Sequence, residues 1–155
     1  MFTLENYRVH KDCFLVLGRV HESEKRILPF VNNLVRAGFP SPADDYLETK
    51  LDLTEHLIQH PSATYYIRAV GDSMLDYGIF SGDLLIVDRS LEPRTGDILI
   101  VAIEGELTCK KLSTINNEPF LVSGNADYPP ISLNGKEVHV WGVVIHNIHS
   151  LRGKS

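Results

Sequence analysis

Branched apolar runs alternate with glycine-containing turns through most of the chain after residue 63. The stretch 64–70 has the β-branched and aromatic composition of a strand, and Gly71 ends it. The motif Gly82-Asp83-Leu84-Leu85-Ile86-Val87 returns fourteen residues later as Gly96-Asp97-Ile98-Leu99-Ile100-Val101. Each copy predicts a turn followed by a buried strand.

Further strands complete this pattern. Glu104-Gly105 predicts a hairpin between strands at 98–103 and 106–112. Two more strands are predicted at 120–123 and 138–145. The fold class that follows is mostly β, with turns rich in glycine and proline and a short, partly extended N-terminal arm.

The first quarter of the chain is patterned differently. Residues 1–25 are weakly patterned, and apolar residues then recur at helical spacing at Phe30, Val31, Leu34 and Val35. The prolines that follow in 38–42 stop a helix and favour extended backbone. We therefore expect this segment to be exposed, either as the substrate of a protease or as a plain linker. Residues 53–60 are predicted to be helical, with Thr54 as a possible cap.

Composition places the chain among soluble globular domains. It has 155 residues, of which 43% are hydrophobic and 23% are charged. No apolar run approaches the roughly 20 residues of a membrane helix, and we expect a cytoplasmic protein. Its two cysteines, Cys13 and Cys109, have no ligand-like spacing, so neither a disulfide framework nor a metal site is expected. Cys109 is interpreted as a packed apolar side chain.

Charge argues against one class of partner. The net charge is −5, and acidic residues are concentrated after residue 37. An acidic body is a poor match to a phosphate backbone, so direct binding to DNA is disfavoured. A function near DNA through a protein partner remains open.

The segment Gly71-Asp72-Ser73-Met74 carries candidate chemistry where a strand is predicted to end and a helical turn to begin. A serine hydroxyl needs a neighbour to take its proton, and Ser-Lys pairs are a recognised arrangement. The backbone amides of Ser73 and Asp72 are candidate donors to an oxyanion. The alternative is that Ser73 simply caps the turn, with Asp76 completing a capping box.

Two adjacent lysines follow on a predicted strand. Side chains alternate between the faces of a strand, so Lys110 and Lys111 point to opposite sides and one can be covered while the other stays in water. A lysine in apolar surroundings loses solvation of its charged form and becomes a usable general base. Spacing alone leaves open which of the two is inside.

Taken together, these motifs resemble the LexA/UmuD family of self-cleaving serine peptidases, and most closely its UmuD-like members, which are accessory subunits of error-prone polymerases in the bacterial SOS response. The segments that carry the resemblance are, in order, Ala37-Gly38-Phe39-Pro40-Ser41-Pro42, Leu57-Ile58-Gln59-His60-Pro61-Ser62-Ala63-Thr64-Tyr65, Gly71-Asp72-Ser73-Met74, Gly82-Asp83-Leu84-Leu85-Ile86-Val87-Asp88, Lys110-Lys111-Leu112 and Trp141-Gly142-Val143-Val144-Ile145-His146.

The resemblance implies a fold, a site and partners. It implies that Ser73 is the nucleophile, that Lys110 is the base, and that cleavage falls between Ala37 and Gly38. An arm of residues 1–37 would be removed from a peptidase domain of residues 38–155. It further implies a homodimer, stimulation by RecA filaments on single-stranded DNA, and partnership with a UmuC-like error-prone DNA polymerase, with no cofactor and no membrane.

Two departures and three alternatives accompany this resemblance. The stretch before the cleavage site is longer than in UmuD, and position 37 is alanine, as in LexA-type repressors, where UmuD has cysteine.

The alternatives are a polymerase-binding module that no longer cuts itself, a phage-type regulator of the same fold, and a signal-peptidase-like enzyme. We expect no LexA-style helix-turn-helix domain ahead of the arm, for which the sequence leaves no room, so a repressor role is disfavoured. Whether cleavage occurs within one chain or between dimer partners is left open.

Overall fold

The computed structural model describes residues 8–9, 14–19, 27–31 and 48–153. The chain forms two compact units, one of Met1–Val20 with Ser62–Ser155 and the other of His21–Pro61. The smaller unit contains an antiparallel pair, β3 (Ile27–Val31) with β4 (Glu48–Asp52), followed by the helix α1 (Leu53–Leu57).

The larger unit is built on one sheet. Its strands are β1 (Arg8–Val9), β2 (Phe14–Arg19), β5 (Thr64–Ala69), β6 (Leu84–Asp88), β7 (Ile98–Ile103), β8 (Glu106–Ile115), β9 (Glu118–Val122), β10 (Ile131–Ser132) and β11 (Val138–Ile148). Two short 3₁₀ turns, Pro61–Ala63 and Leu75–Tyr77, lie before and after β5.

Neighbouring strands in this sheet are antiparallel, in the order β10-β9-β8-β7-β11-β6-β5-β2. β1 adds a short parallel pairing to the start of β8, at Glu106 and Leu107. β9 pairs with β8 only from Lys111 onward. The prediction of a mostly β fold is confirmed.

Alternate residues of the central strands feed two separate apolar clusters, as the two-residue period of a strand requires. On β7, Ile100 belongs to one cluster, and its neighbours Leu99 and Val101 belong to the other. The larger cluster also contains Ile67, Met74, Ile79, Leu85, Val87, Leu107, Cys109 and Trp141. Burial of Cys109 there agrees with its interpretation as a packed apolar side chain.

The repeated Gly-Asp motif corresponds to a repeated turn. Gly82 has φ +95° and Gly96 has φ +101°, a conformation that L side chains rarely adopt. In both turns the aspartate amide donates to the carbonyl three residues earlier, at 3.1 Å for Asp83 and 2.9 Å for Asp97. The amide of that earlier residue donates to the aspartate carboxylate at 2.8 Å in each case. The repeated motif therefore forms the same turn twice, each time immediately before a buried strand.

The hairpin prediction is confirmed as well. β7 and β8 pair antiparallel, and the connecting residues Glu104 and Gly105 both have positive φ, +50° and +82°. Two positive values match the turn type whose twist suits a two-residue hairpin.

Two local predictions are wrong, and one strand was not predicted. That strand is β2, in the weakly patterned start of the chain. Phe30 and Val31, predicted to be helical, lie in strand β3. Helix α1 is capped by Asp52, whose carboxylate accepts from the Glu55 amide at 3.0 Å, and not by Thr54.

The carboxylate of Asp83 also joins the first Gly-Asp turn to the end of β11. Burial raises the pKa of Asp83, but hydrogen bonds from the Phe80 amide, His149 and Asn147, together with the charge of His149, outweigh burial and hold the pKa below its ordinary value. Asn147 donates to Asp83 at 2.9 Å and to the carbonyl of Gly78 at 2.8 Å. The last strand is thereby fastened to the turn that follows Leu75–Tyr77.

This lowered pKa predicts a pH-dependent contribution to stability. Because the folded pKa lies below the unfolded value of 3.8, the contribution is present above that value and is lost as the pH falls through the folded pKa. We expect Asp83→Asn to lower the free energy of unfolding by about 1–3 kcal/mol at pH 6. The difference from wild type should shrink below pH 4 in urea titrations followed by Trp141 fluorescence. Asp97→Asn, in the equivalent turn, is the control, and a difference for Asp83→Asn that does not vary with pH would contradict the assignment.

Candidate active site

The candidate nucleophile lies in a tight loop after β5. Gly71 has φ +93°, which turns the chain out of the strand. Ser73 is half-buried, and the next residue, Met74, is 3% exposed and anchors the loop in the larger apolar cluster. The 3₁₀ turn Leu75–Tyr77 follows and ends at Gly78, whose amide donates to the Leu75 carbonyl at 2.9 Å.

The structure does not support the capping alternative for Ser73. The residue at the N-cap of the 3₁₀ turn is Met74, with no side-chain capping hydrogen bond. The Asp76 amide donates instead to the carbonyl of Gly124, at 2.7 Å. A turn of three residues also has almost no helix dipole. An oxyanion hole at Ser73 and Asp72 stays a prediction. Without a helix dipole, it would depend on hydrogen bonds from the backbone amides of these two residues.

A second loop, residues 123–128, holds the Ser73 loop through its backbone. The Gly124 amide donates to the Ser73 carbonyl at 2.7 Å, and the Gly124 carbonyl accepts from the Asp76 amide. A Cβ atom at position 124 would lie 2.8 Å from the Tyr77 ring and 3.1 Å from the Met74 carbonyl carbon. Only glycine allows this approach without displacing one of the two loops.

Side chains of the second loop hold Asp72, the residue before Ser73. The Asn125 side chain donates to the Asp72 carbonyl at 3.1 Å, and the Tyr128 hydroxyl donates to the Asp72 carboxylate at 2.8 Å. Sequence reasoning missed these contacts. The glycine, asparagine and prolines of 123–130 indicate a loop, but they do not indicate what it packs against.

The structure buries one of the two adjacent lysines. Lys110 is 6% exposed, whereas Lys111 is half-buried and places its ammonium 4.7 Å from the centre of the Tyr77 ring. The amine of Lys110 donates to the Thr108 hydroxyl and to the Cys109 carbonyl, both at 3.1 Å. Burial therefore distinguishes the two residues, which spacing alone could not do.

The Ser73 loop and the Lys110 strand meet at one place. Ser73 and Cys109, the neighbour of Lys110, line the same small pocket of about 20 Å³. The other lining residues are Ala69, Val70, Gly71, Met74 and Ile79. Tyr128 connects the same two segments, since its ring lies 5.7 Å from the Lys110 amine while its hydroxyl bonds to Asp72. The arrangement brings the Ser73 loop and the strand of Lys110 together around a small pocket.

The remaining expectations concern the cleavage site, metal binding and a membrane-spanning helix. The predicted cleavage site, Ala37 and Gly38, lies outside the described residues. Among those that are described, no three His, Cys, Asp or Glu side chains form a set that could hold a metal ion. Within the same part of the chain, no helix is both long enough and apolar enough to cross a membrane.

The close contact at Gly124 yields a prediction. Gly124→Ala should push the second loop away from the Ser73 turn and lower the free energy of unfolding by about 1–3 kcal/mol, as overpacking does. Hydrogen exchange of the amides in 72–77 should become faster, because the Asp76 bond to residue 124 is lost. Ala126→Ser, at an exposed position of the same loop, is the control. Unchanged exchange in Gly124→Ala would show that the two loops do not depend on this contact.

Comparison with known proteins is consistent with this arrangement. Residues 29–145 match the family described as Peptidase S24-like. The chain is 40% identical to Protein SamA of Salmonella typhimurium over 138 residues, which are 89% of this chain and 96% of that protein. It is 42% identical to Protein MucA of Escherichia coli over 133 residues, 84% of this chain and 87% of that one. A LexA repressor of Shewanella woodyi is 31% identical over 131 residues, 83% of this chain and 63% of the repressor.

Proposed function

The chain belongs to the Peptidase S24-like family, as its resemblance to the LexA/UmuD peptidases predicted, and from this premise we propose that it is a serine peptidase that cuts its own chain between Ala37 and Gly38. Ser73 is the nucleophile and Lys110 is the general base. The observation that supports these roles best is the burial of Lys110 beside Tyr128, whose hydroxyl bonds to Asp72, the residue before Ser73.

Hydrogen bonds hold the Lys110 amine against its own strand. Its nitrogen donates to the Thr108 hydroxyl and to the Cys109 carbonyl, both at 3.1 Å. In the proposed reaction the neutral amine takes the proton of Ser73 on its lone pair. A histidine partner is not required for such a nucleophile.

The proposed reaction has two stages. The Ser73 oxygen attacks the Ala37 carbonyl, and the negative charge that forms on the carbonyl oxygen is stabilised by the backbone amides of Ser73 and Asp72. Protonated Lys110 then gives its proton to the departing nitrogen of Gly38 as the peptide bond breaks. Lys110 then takes a proton from water, which attacks the ester on Ser73. The ester bond breaks, Lys110 returns the proton to the Ser73 oxygen, and the Ala37 carboxylate is released.

The small pocket supports alanine as the residue before the cut. Its volume of about 20 Å³ and its lining by Met74 and Ile79 suit a methyl group. A tethered substrate has a high effective concentration, so extensive contacts are not needed to hold it. Small residues at the bond also let the chain approach Ser73 closely.

The wider role that we propose follows the family resemblance. Cleavage would remove residues 1–37 and leave 38–155 as a homodimeric subunit of a UmuC-like error-prone DNA polymerase. RecA filaments on single-stranded DNA would promote the conformation that cuts, without supplying catalytic groups. Support comes from the extensive similarity to Protein SamA, Protein MucA and a LexA repressor.

The assignment of the two catalytic residues is tested by intact-mass spectrometry. The purified protein should give fragments that match breakage after Ala37, and Ser73→Ala and Lys110→Ala should stay whole because each lacks one partner in the proton transfer. Lys111→Ala is the matched control and should still cut. If wild type stays whole even with RecA filaments added, the polymerase-binding module that does not cut becomes the better account. Cutting in either variant would reject the assigned role of that residue.

A lysine base also predicts how the rate depends on pH. The rate should rise by about tenfold per pH unit while most of the amine is protonated, and then level off, because only the neutral form accepts a proton. Time courses from pH 6 to 10 would show this, with circular dichroism to verify that the fold persists. A rate that stays flat across this range would exclude Lys110 as the base.

A further inference from the structure

One side chain contacts both Lys110 and Asp72, the residue before Ser73. Tyr128 is half-buried in the second loop. Its hydroxyl donates to the carboxylate of Asp72, next to the nucleophile, at 2.8 Å. The centre of its ring lies 5.7 Å from the amine of Lys110. The ring and the hydroxyl thus act on different partners.

We propose that Tyr128 is a positioning residue with two separable roles, a deepening that rests on the proposed function. Its ring favours the protonated form of Lys110 and so sets the pH at which the amine becomes a base. Its hydroxyl fixes the loop that carries Ser73. The first role restrains cleavage near neutral pH, whereas the second supports cleavage at every pH.

The role of the ring follows from its charge distribution. The face of an aromatic ring attracts a cation within about 6 Å and has no comparable attraction for a neutral amine. At 5.7 Å the contact with Lys110 is near that limit, so the effect is modest. A ring that favours the ammonium form leaves less of the neutral base at a given pH.

Ionisable side chains near the Lys110 amine include those of Asp72 and Lys111. The carboxylate of Asp72 lies beyond Tyr128, bonded to its hydroxyl. The neighbouring Lys111 directs its ammonium to the Tyr77 ring. Cys109 contributes its carbonyl, and Leu99, opposite Lys110 on β7, has no ionisable group. Because the ring of Tyr128 lies within cation–π range of the amine, its removal should be visible in the titration of Lys110.

The role of the hydroxyl follows from what it holds. Asp72 precedes Ser73, and its carbonyl is already bonded to the Asn125 side chain. The Tyr128 hydroxyl adds a second attachment at the carboxylate. Removing the hydroxyl while keeping the ring should loosen the Ser73 loop and leave the charge balance at Lys110 unchanged.

The first experiment measures the titration of Lys110 without relying on cleavage. The full chain carrying Ser73→Ala, labelled with ¹³C at lysine Cε, is titrated by NMR, and Lys110→Arg identifies the signal. Adding Tyr128→Leu should lower the midpoint by about 0.4–0.7 pH unit, whereas Tyr128→Phe should leave it in place. A midpoint that is unchanged or raised in Tyr128→Leu overturns the role of the ring.

The second experiment separates the hydroxyl from the ring. In the same Ser73→Ala background, Tyr128→Phe should speed hydrogen exchange of the amides in 72–77, and Asp72→Asn should not, because an amide oxygen can still accept from Tyr128. In the cutting protein, Tyr128→Phe should lower the plateau of the rate profile about three- to tenfold without moving its midpoint. Unchanged exchange and an unchanged plateau overturn the role of the hydroxyl.

These outcomes remain distinguishable from failure of the proposed function. If wild type never cuts, self-cleavage is rejected, while the NMR titration and the exchange measurement still decide whether Tyr128 acts on Lys110 and on the Ser73 loop. If wild type cuts and neither Tyr128 variant changes midpoint, plateau or exchange, only the positioning proposal falls.

Discussion

The free-energy cost of keeping a lysine side chain out of water is the constraint around which this site is built. A buried amine is tolerated only where its hydrogens find acceptors, and the Lys110 amine donates to the Thr108 hydroxyl and the Cys109 carbonyl, each at 3.1 Å. Both acceptors belong to β8 itself, which is paired with β7 over the whole of Glu106–Lys111. These two bonds hold the amine against its own strand. The loop 123–128, which places Tyr128 beside the amine, is tied to the loop 71–77 by backbone hydrogen bonds at Gly124.

The sheet was largely predictable from sequence because strands have a short, rigid period and their turns need particular residues. The Gly-Asp motifs and Glu104-Gly105 identified turns for this reason, and the strands between them followed. The failures share a cause as well. Phe30 and Val31 fit a helical spacing over too few residues to define a period, and their strand depends on pairing with β4, which is distant in sequence.

The candidate site divides in a similar way. Ser73 and the lysine pair could be selected from sequence, because a nucleophile and a base need particular side chains. The choice between Lys110 and Lys111 depends on burial, which the packing of β8 decides. The contribution of 123–128 could not be foreseen, since Gly124 and Tyr128 act through distances to another loop. Local sequence patterns predict individual strands and turns. The distances between separate strands and loops are known only once the fold is known.

The small size of the pocket beside Ser73 has a consequence for chemical intervention. A space of about 20 Å³ is far below the roughly 300–1,000 Å³ of cavities that enclose drug-sized molecules. Contact area alone would give an inhibitor little affinity there. If the proposed reaction takes place here, a compound that blocks it would need an electrophile that bonds to the Ser73 oxygen, or would have to compete with the proposed substrate segment for its binding surface.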